Sequence, residues 1–296
     1  MPAVMSFNFF GLRPKASGKG LRPKASGKGL RQRPQPKAKR GIAYPIRPKY
    51  TVMIEFLFLF AVLCFIGVVF YRESKDSFEI LQLEADRLDE LSDLYAEKRP
   101  IVLRGLSFPP LGTYAELKKR PHILQLGVTP TLSLDSLLHS KELSSFPFTP
   151  EMASFLAKES GLPVWSAHHL YPKILPSPRF LYSTKESLWP SHRGLWKTTA
   201  FYTLCTPTQG MASVKLLLSS MIPYLPVRWE RMNFDRLTPE DTPLVSQLQF
   251  VEIKLRPGTA ICIPAHTLVN ITQHAESTET LFTYCVDIHH PISRFA

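Results

Sequence analysis

Four cysteines in 296 residues are too few for a disulfide-stapled scaffold. No two of them have the spacing of a zinc-binding pair. Acidic residues are absent from residues 1–50, which carry 13 Lys/Arg. Glu55 is the only charge in residues 51–71, leaving 23 basic and 23 acidic residues for 72–296. The formal net charge of +12 therefore belongs to the tail, while the body of the chain is neutral. A basic nucleic-acid-binding globule is excluded, because such a domain carries its charge on the folded surface. A composition of 44% apolar and 11% aromatic residues can build a core, which argues against a wholly disordered chain. The 27 prolines favour strands and loops over a helical bundle.

What the tail contains is a repeat. Residues 11–19 read Gly-Leu-Arg-Pro-Lys-Ala-Ser-Gly-Lys, and residues 20–28 repeat them unchanged. Gly and Pro break any regular element in each copy, and one Leu per nine residues cannot offset the entropy of ordering. The expectation for residues 1–50 is a disordered basic tail. It contacts anionic lipid or an acidic polymer, or it serves topology alone.

Residues 51–71 have no polar side chain between Phe56 and Phe70, and with their flanks reach the roughly 20 residues needed to cross a bilayer. Tyr50 and Tyr71 stand at the two ends, as interfacial aromatics do. The expectation is one uncleaved transmembrane helix. The positive-inside rule then puts the N-terminus in the cytosol and the large domain in a lumen or outside. A mitochondrial inner-membrane location stays open. Lys37, Lys39, Arg40, Arg47 and Lys49 are the basic residues nearest the bilayer surface.

Beyond the span, Phe78, Leu81, Leu88, Leu91 and Tyr95 recur near helical spacing, which predicts a juxtamembrane helix within residues 72–97. A domain follows over 98–296. Residues 99–105 read as a strand, and short helices are predicted near 132–143 and 150–159. Strands are predicted at 199–206, 212–219, 248–255, 259–264, 268–272 and 280–288. This pattern makes the domain mainly β, a sandwich or barrel.

Four segments stand in a telling order: Lys98–Gly105, Gly194–Ala200 before the turn Gln209-Gly210, the acidic loop Asn233–Asp235 with Pro239–Leu244, and Leu255–His266 with its Pro257-Gly258 and Ile263-Pro264. Together they resemble the cupin-like JmjC family of iron- and 2-oxoglutarate-dependent oxygenases, especially its asparaginyl-hydroxylase branch, over roughly residues 98–290. The resemblance implies a double-stranded β-helix, a jelly roll with helices packed on its N-terminal side.

The family holds Fe(II) with a His-x-Asp/Glu pair and a distal His. Those places fall on Trp196 and Thr198 here, or on Lys197 and Thr199 one residue later, and on Val269 followed by Asn270. The cosubstrate Lys position falls on Ala212, with Lys215 nearby. None of these supplies the ligand set, so no catalytic, cofactor-binding or metal residue is assigned. Trp196, Thr198, Lys215, His266, Val269 and Asn270 remain candidates for a pocket or rim.

No other residues rebuild a metal site in the sequence. His168-His169 lies in a Pro-rich loop, His274-Ala-Glu276 in a polar turn, and His289-His290 with Asp287 near the C-terminus; a histidine in a loop is more often exposed or locally hydrogen-bonded than a ligand. Cys205, Cys262 and Cys285 fall on predicted strands and read as buried thiols, with one disulfide among them left open. Asn270-Ile-Thr272 matches the glycosylation sequon but lies on a predicted core strand.

The expected function is a membrane-anchored, catalytically degenerate cupin/JmjC-like domain acting as a binding or structural module, with an unidentified protein partner. The alternatives are an active oxygenase with an unconventional iron site, using Fe(II) and 2-oxoglutarate, or another type II membrane enzyme. A carbohydrate-active enzyme of that layout lacks support, since no Asp-x-Asp motif is present. If the tail acts by charge, its binding to anionic vesicles will weaken as ionic strength rises. Vesicle co-sedimentation across a salt series checks this, and salt-insensitive binding would contradict an electrostatic role.

Overall fold

In the computed structural model, residues 49–72, 79–129, 132–140, 143, 146, 148–238, 240 and 244–294 are described. The repeats of the tail, Lys37, Lys39, Arg40, Arg47 and most of the acidic loop at 239–243 lie outside them. Helix α1, Lys49–Arg72, has 24 residues. A rise of about 1.5 Å per residue makes it roughly 36 Å long, enough for a hydrocarbon core about 30 Å thick. No residue of its apolar window Met53–Phe70 is buried, and among the described residues it is the one helix long and apolar enough to cross a membrane.

The C-terminal end of α1 touches the domain. A Cβ added at Gly67 would stand 3.3 Å from Ile292 Cδ1, so the turn Pro291–Arg294 packs closely there. The Lys98 ammonium donates to the Phe70 carbonyl and lies 4.0 Å from that ring's centroid. A cation at a helix C-terminus meets its unpaired carbonyls and the negative end of its dipole.

The strands begin with β1 (Leu81–Glu84), β2 (Ile101–Arg104), β3 (Gly127–Thr129) and β4 (Leu132–Ser133). They continue with β5 (Ser183–Pro190), β6 (Arg193–Lys197), β7 (Tyr202–Gln209) and β8 (Ala212–Leu217). The last are β9 (Phe250–Leu255), β10 (Ala260–Pro264), β11 (Leu268–Gln273) and β12 (Phe282–His289). A six-stranded sheet has the order β1-β2-β10-β7-β12-β5, and a four-stranded sheet the order β6-β11-β8-β9. All pairs are antiparallel except β1 with β2. The fold is thus rich in β-sheet, with one apolar N-terminal helix.

The inner faces of the two sheets share one core, to which Cys205, Ile261 and Cys285 contribute from the larger sheet and Val214, Leu216, Val269 and Ile271 from the smaller. The outer face of the larger sheet carries the helices of 85–181. There Tyr284 Oη meets Ser166 Oγ at 3.0 Å, and Tyr202 Oη donates to the carbonyls of Tyr95 and Arg99 at 3.3 Å. The helix Pro150–Ser160 is built by its sequence. Thr149 Oγ1 accepts from the Met152 amide, Pro150 opens the first turn, and Gly161 ends it at φ 80°. Its buried residues Ala153, Leu156, Ala157 and Ser160 have the one-face spacing that lays it on β5. The outer face of the smaller sheet has its own cluster, where Leu195, Leu217 and Leu268 meet Leu225 and Leu248 from the β8–β9 connection.

The structure departs from the expected helix within 72–97. Leu81–Glu84 is a strand parallel to β2, followed by a 3-10 turn at Ala85–Glu90 and a short helix at Leu91–Tyr95. Long-range pairing with 101–104 overrides the local helical spacing of Leu81, Leu88 and Leu91. Strands β5 and β6 were also not anticipated.

Gly194 marks a close backbone approach. Arg231 N donates to Leu195 O and Leu195 N to Met232 O, both at 2.7 Å, so the free edge of β6 is covered by residues 231–232. A Cβ at 194 would stand 2.2 Å from Arg231 O. Gly194→Ala is expected to cost about 1–3 kcal/mol, as overpacking does. A thermal melt of the purified protein checks this, and an unchanged midpoint would refute it.

Candidate functional site

Trp196 and Val269 are directly opposite each other in the β6–β11 register. Val269 is fully buried and Trp196 packs against the same core. Both of these candidate positions are thus held by packing side chains. The Arg193 guanidinium stacks 3.7 Å from the Trp196 ring centroid and lies 4.9 Å from that of Trp189.

Thr198 is buried and its hydroxyl is committed to structure. It donates to Pro264 O at 2.7 Å and accepts from the Thr267 amide at 3.0 Å. Backbone bonds from Thr198 N to Thr267 O and from His266 N to Thr198 O complete the clasp. His266 sits in the left-handed region at φ 63°. It lines a cavity of about 690 Å3 at one end of the sheets, with Lys185, Lys197, Thr199, His289 and Ser293.

Lys215 and Asn270 are register neighbours on β8 and β11, but on the opposite face of the smaller sheet from Val269. Strand residues alternate faces, and Val214, Leu216, Val269 and Ile271 take the inner one. Lys215 is ion-paired with Asp235, whose other oxygen accepts from Thr272 Oγ1 at 3.2 Å. Phe234 N donates to Asn270 Oδ1 at 3.4 Å. These groups hold the β8–β9 connection against the sheet. The six candidates therefore do not form one pocket: Trp196 and Val269 face the inner core, Thr198 and His266 sit at the rim, and Lys215 and Asn270 lie outside. Full burial of Asn270 also closes its sequon in the folded domain.

Among the described residues, no three His, Cys, Asp or Glu side chains are grouped so as to hold a metal ion. His274 Nδ1 accepts from the Glu276 amide at 3.2 Å, a local turn bond rather than a ligand geometry. His169 stacks on Trp165, and His290 Nδ1 accepts from the Ile292 amide. Burial lowers the His290 pKa.

A set of polar groups lies between the sheets. Thr203 Oγ1 donates to Asp287 Oδ1 at 2.6 Å. The Cys205 thiol donates to Cys285 Sγ at 3.2 Å. Arg193 Nη1 is buried with no protein acceptor, beside a cleft of about 390 Å3 that also meets Trp189, Trp196, Lys197 and Arg231. Arg193 stands one residue before the quoted Gly194-Leu195, and Asp287 is an acid within a predicted strand, so both had a faint signal. On the outer face, burial pushes the Cys262 thiol up to about 12, despite Tyr95 Oη 3.9 Å away. Neither cysteine environment pairs a nucleophile with an accessible base.

No protein-family model matches the chain, and no curated protein matches it.

Removing the Lys215 cation leaves Asp235 with Thr272 alone. Lys215→Met is expected to destabilise the domain by about 1 kcal/mol, given that Asp235 is partly solvated. Urea denaturation would show it. A variant as stable as the wild type would mean that the pair does not hold the connection.

Proposed function

We propose that the chain is a single-pass, membrane-anchored, catalytically degenerate cupin/JmjC-like domain that acts as a binding or structural module. The Trp196–Val269 pair carries this reading. Two positions that must hold iron in the resembled oxygenases are filled by a bulky indole and an isopropyl group, neither of which ligates iron.

The strand order supports the double-stranded β-helix this reading needs. From β5 to β12 the chain passes between the two sheets, giving β10-β7-β12-β5 against β6-β11-β8-β9. That order fits a jelly roll, with β1, β2 and the helices of 85–181 as N-terminal additions. The tail charge favours a cytosolic N-terminus and an extracytosolic domain. The tail then serves anionic lipid or an acidic polymer, and the domain presents its rim to a protein partner.

Calorimetry of the full-length chain in detergent should detect no binding of 2-oxoglutarate, with or without Fe(II). Micromolar metal-dependent binding would overturn the degenerate reading and restore the oxygenase. For topology, protease added to the cytosolic face of sealed vesicles should trim the tail and spare the domain. Loss of the domain in that assay would reverse the orientation.

A further inference from the structure

Cys205 on β7 and Cys285 on β12 occupy directly opposite positions in an antiparallel ladder. Opposite residues in such a ladder have Cα atoms about 4.5 or about 5.5 Å apart. Both separations fall inside the range of about 4.4–6.8 Å that a disulfide bridges without moving the backbone. The sulfurs already lie 3.2 Å apart, and neither side chain has exposed surface. The pair joins strands separated by 80 residues of chain.

The other thiols are placed where they do not compete. Cys262 on the neighbouring β10 is opposite Leu204, whereas Cys205 is opposite Ile261. Alternation sends the Cys262 side chain to the other face of the sheet, toward Tyr95. Cys64 lies in α1.

The two sulfurs are not equivalent. Burial pushes both thiols up, but at Cys285 the hydrogen bond from Cys205 and the Arg193 guanidinium outweigh it, leaving Cys285 lowered and Cys205 raised.

We propose that Cys205 and Cys285 are a cross-strand disulfide site, closed by thiol–disulfide exchange with a small disulfide such as glutathione disulfide. One of the two cysteines, as its thiolate, attacks one sulfur of glutathione disulfide, and one glutathione leaves and takes up a proton. The other cysteine then gives its proton to solvent as its sulfur attacks the protein sulfur of that mixed disulfide, and the second glutathione leaves and takes up a proton. Two protein thiols are oxidised and one glutathione disulfide is reduced to two thiols. Because both sulfurs are enclosed in the finished domain, the exchange precedes the docking of β12 on β7, and the folded protein then protects the bond. In a cell this needs an oxidising compartment, which the orientation proposed above supplies. A defined redox buffer separates the two questions.

The full-length chain in detergent is equilibrated with glutathione disulfide under mildly denaturing conditions, returned to native buffer, then denatured in excess N-ethylmaleimide and digested. Mass spectrometry should find the Cys205 and Cys285 peptides joined, with Cys64 and Cys262 alkylated. Alkylation of all four cysteines, or a link through Cys262 or Cys64, would overturn the proposal. Cys262→Ala should keep the link. As a second readout, dithiothreitol should lower the melting midpoint of the wild type by on the order of 5 °C or more. It should leave a Cys205→Ala/Cys285→Ala variant unmoved. An equal midpoint for the wild type with and without reductant would count against the site.

Discussion

The larger sheet is covered on both faces, and most of the molecule follows from that. Strands β7, β10 and β12 have helices on one side and the smaller sheet on the other, so no side chain on them reaches water cheaply. A buried hydroxyl left without a partner costs about 1–3 kcal/mol, comparable to what burying a whole aliphatic side chain contributes. Most hydroxyls on these strands are accordingly committed: Tyr202 to the carbonyls of Tyr95 and Arg99, Thr203 to Asp287, Thr206 to Thr259 O, and Tyr284 with Ser166. Thr283 on β12 is the exception, a buried hydroxyl with no partner among the described residues. These bonds also fix how the helical layer sits, because Tyr202 and Tyr284 reach into it.

The smaller sheet meets the same demand differently. Its inner face is aliphatic, and its outer face is roofed by the long β8–β9 connection rather than by helices. On β8, on β11 and at Trp196 of β6, the candidate residues either pack or anchor the roof, whereas Arg193 and Lys197 of β6 border the openings. Val269 and Trp196 pack, while Lys215 and Asn270 anchor. Of the polar groups between the sheets, Arg193 Nη1 lacks a protein acceptor among the described residues, and it stands beside the cleft at Trp189 and Trp196. Asp287 is held by Thr203, and the thiols face each other.

Much of the domain was legible because its strands are short apolar or β-branched runs between turn residues. Residues 259–264, 268–272 and 280–288 differ from β10, β11 and β12 by at most a residue or two at each end. Strand β5 was hidden by Thr184, Lys185, Glu186 and Ser187, polar residues that read as loop until Tyr171 Oη and Trp189 Nε1 are seen to pair with Glu186 and Ser187. Strand β1 was hidden by leucines at helical spacing, since parallel pairing leaves no local mark. The separation of the site candidates was legible in part. Lys215 stands between Val214 and Leu216, and Asn270 between Val269 and Ile271, so strand parity alone puts both on the face away from the aliphatic residues. The Asp235 partner was not, because the register of a long loop on a sheet has no sequence period.

The joint between α1 and the domain constrains what a partner can reach. Ile292 meets α1 at Gly67, and Lys98 meets its end at Phe70. The neighbouring Ser293 lines the same cavity as Lys185, Lys197, His266 and His289. If α1 crosses a bilayer, the headgroup layer lies level with the last turns of that helix, and so beside this basic end of the sheets. A ligand approaching the rim at His266 competes there with lipid headgroups, whereas one approaching the cleft at Arg193 enters along the side of the domain, between the edges of β5 and β6. The two openings therefore differ in access as well as in lining. In that arrangement α1 would do more than hold the domain at a surface, because its joint with the domain would also decide which end of the sheets faces that surface.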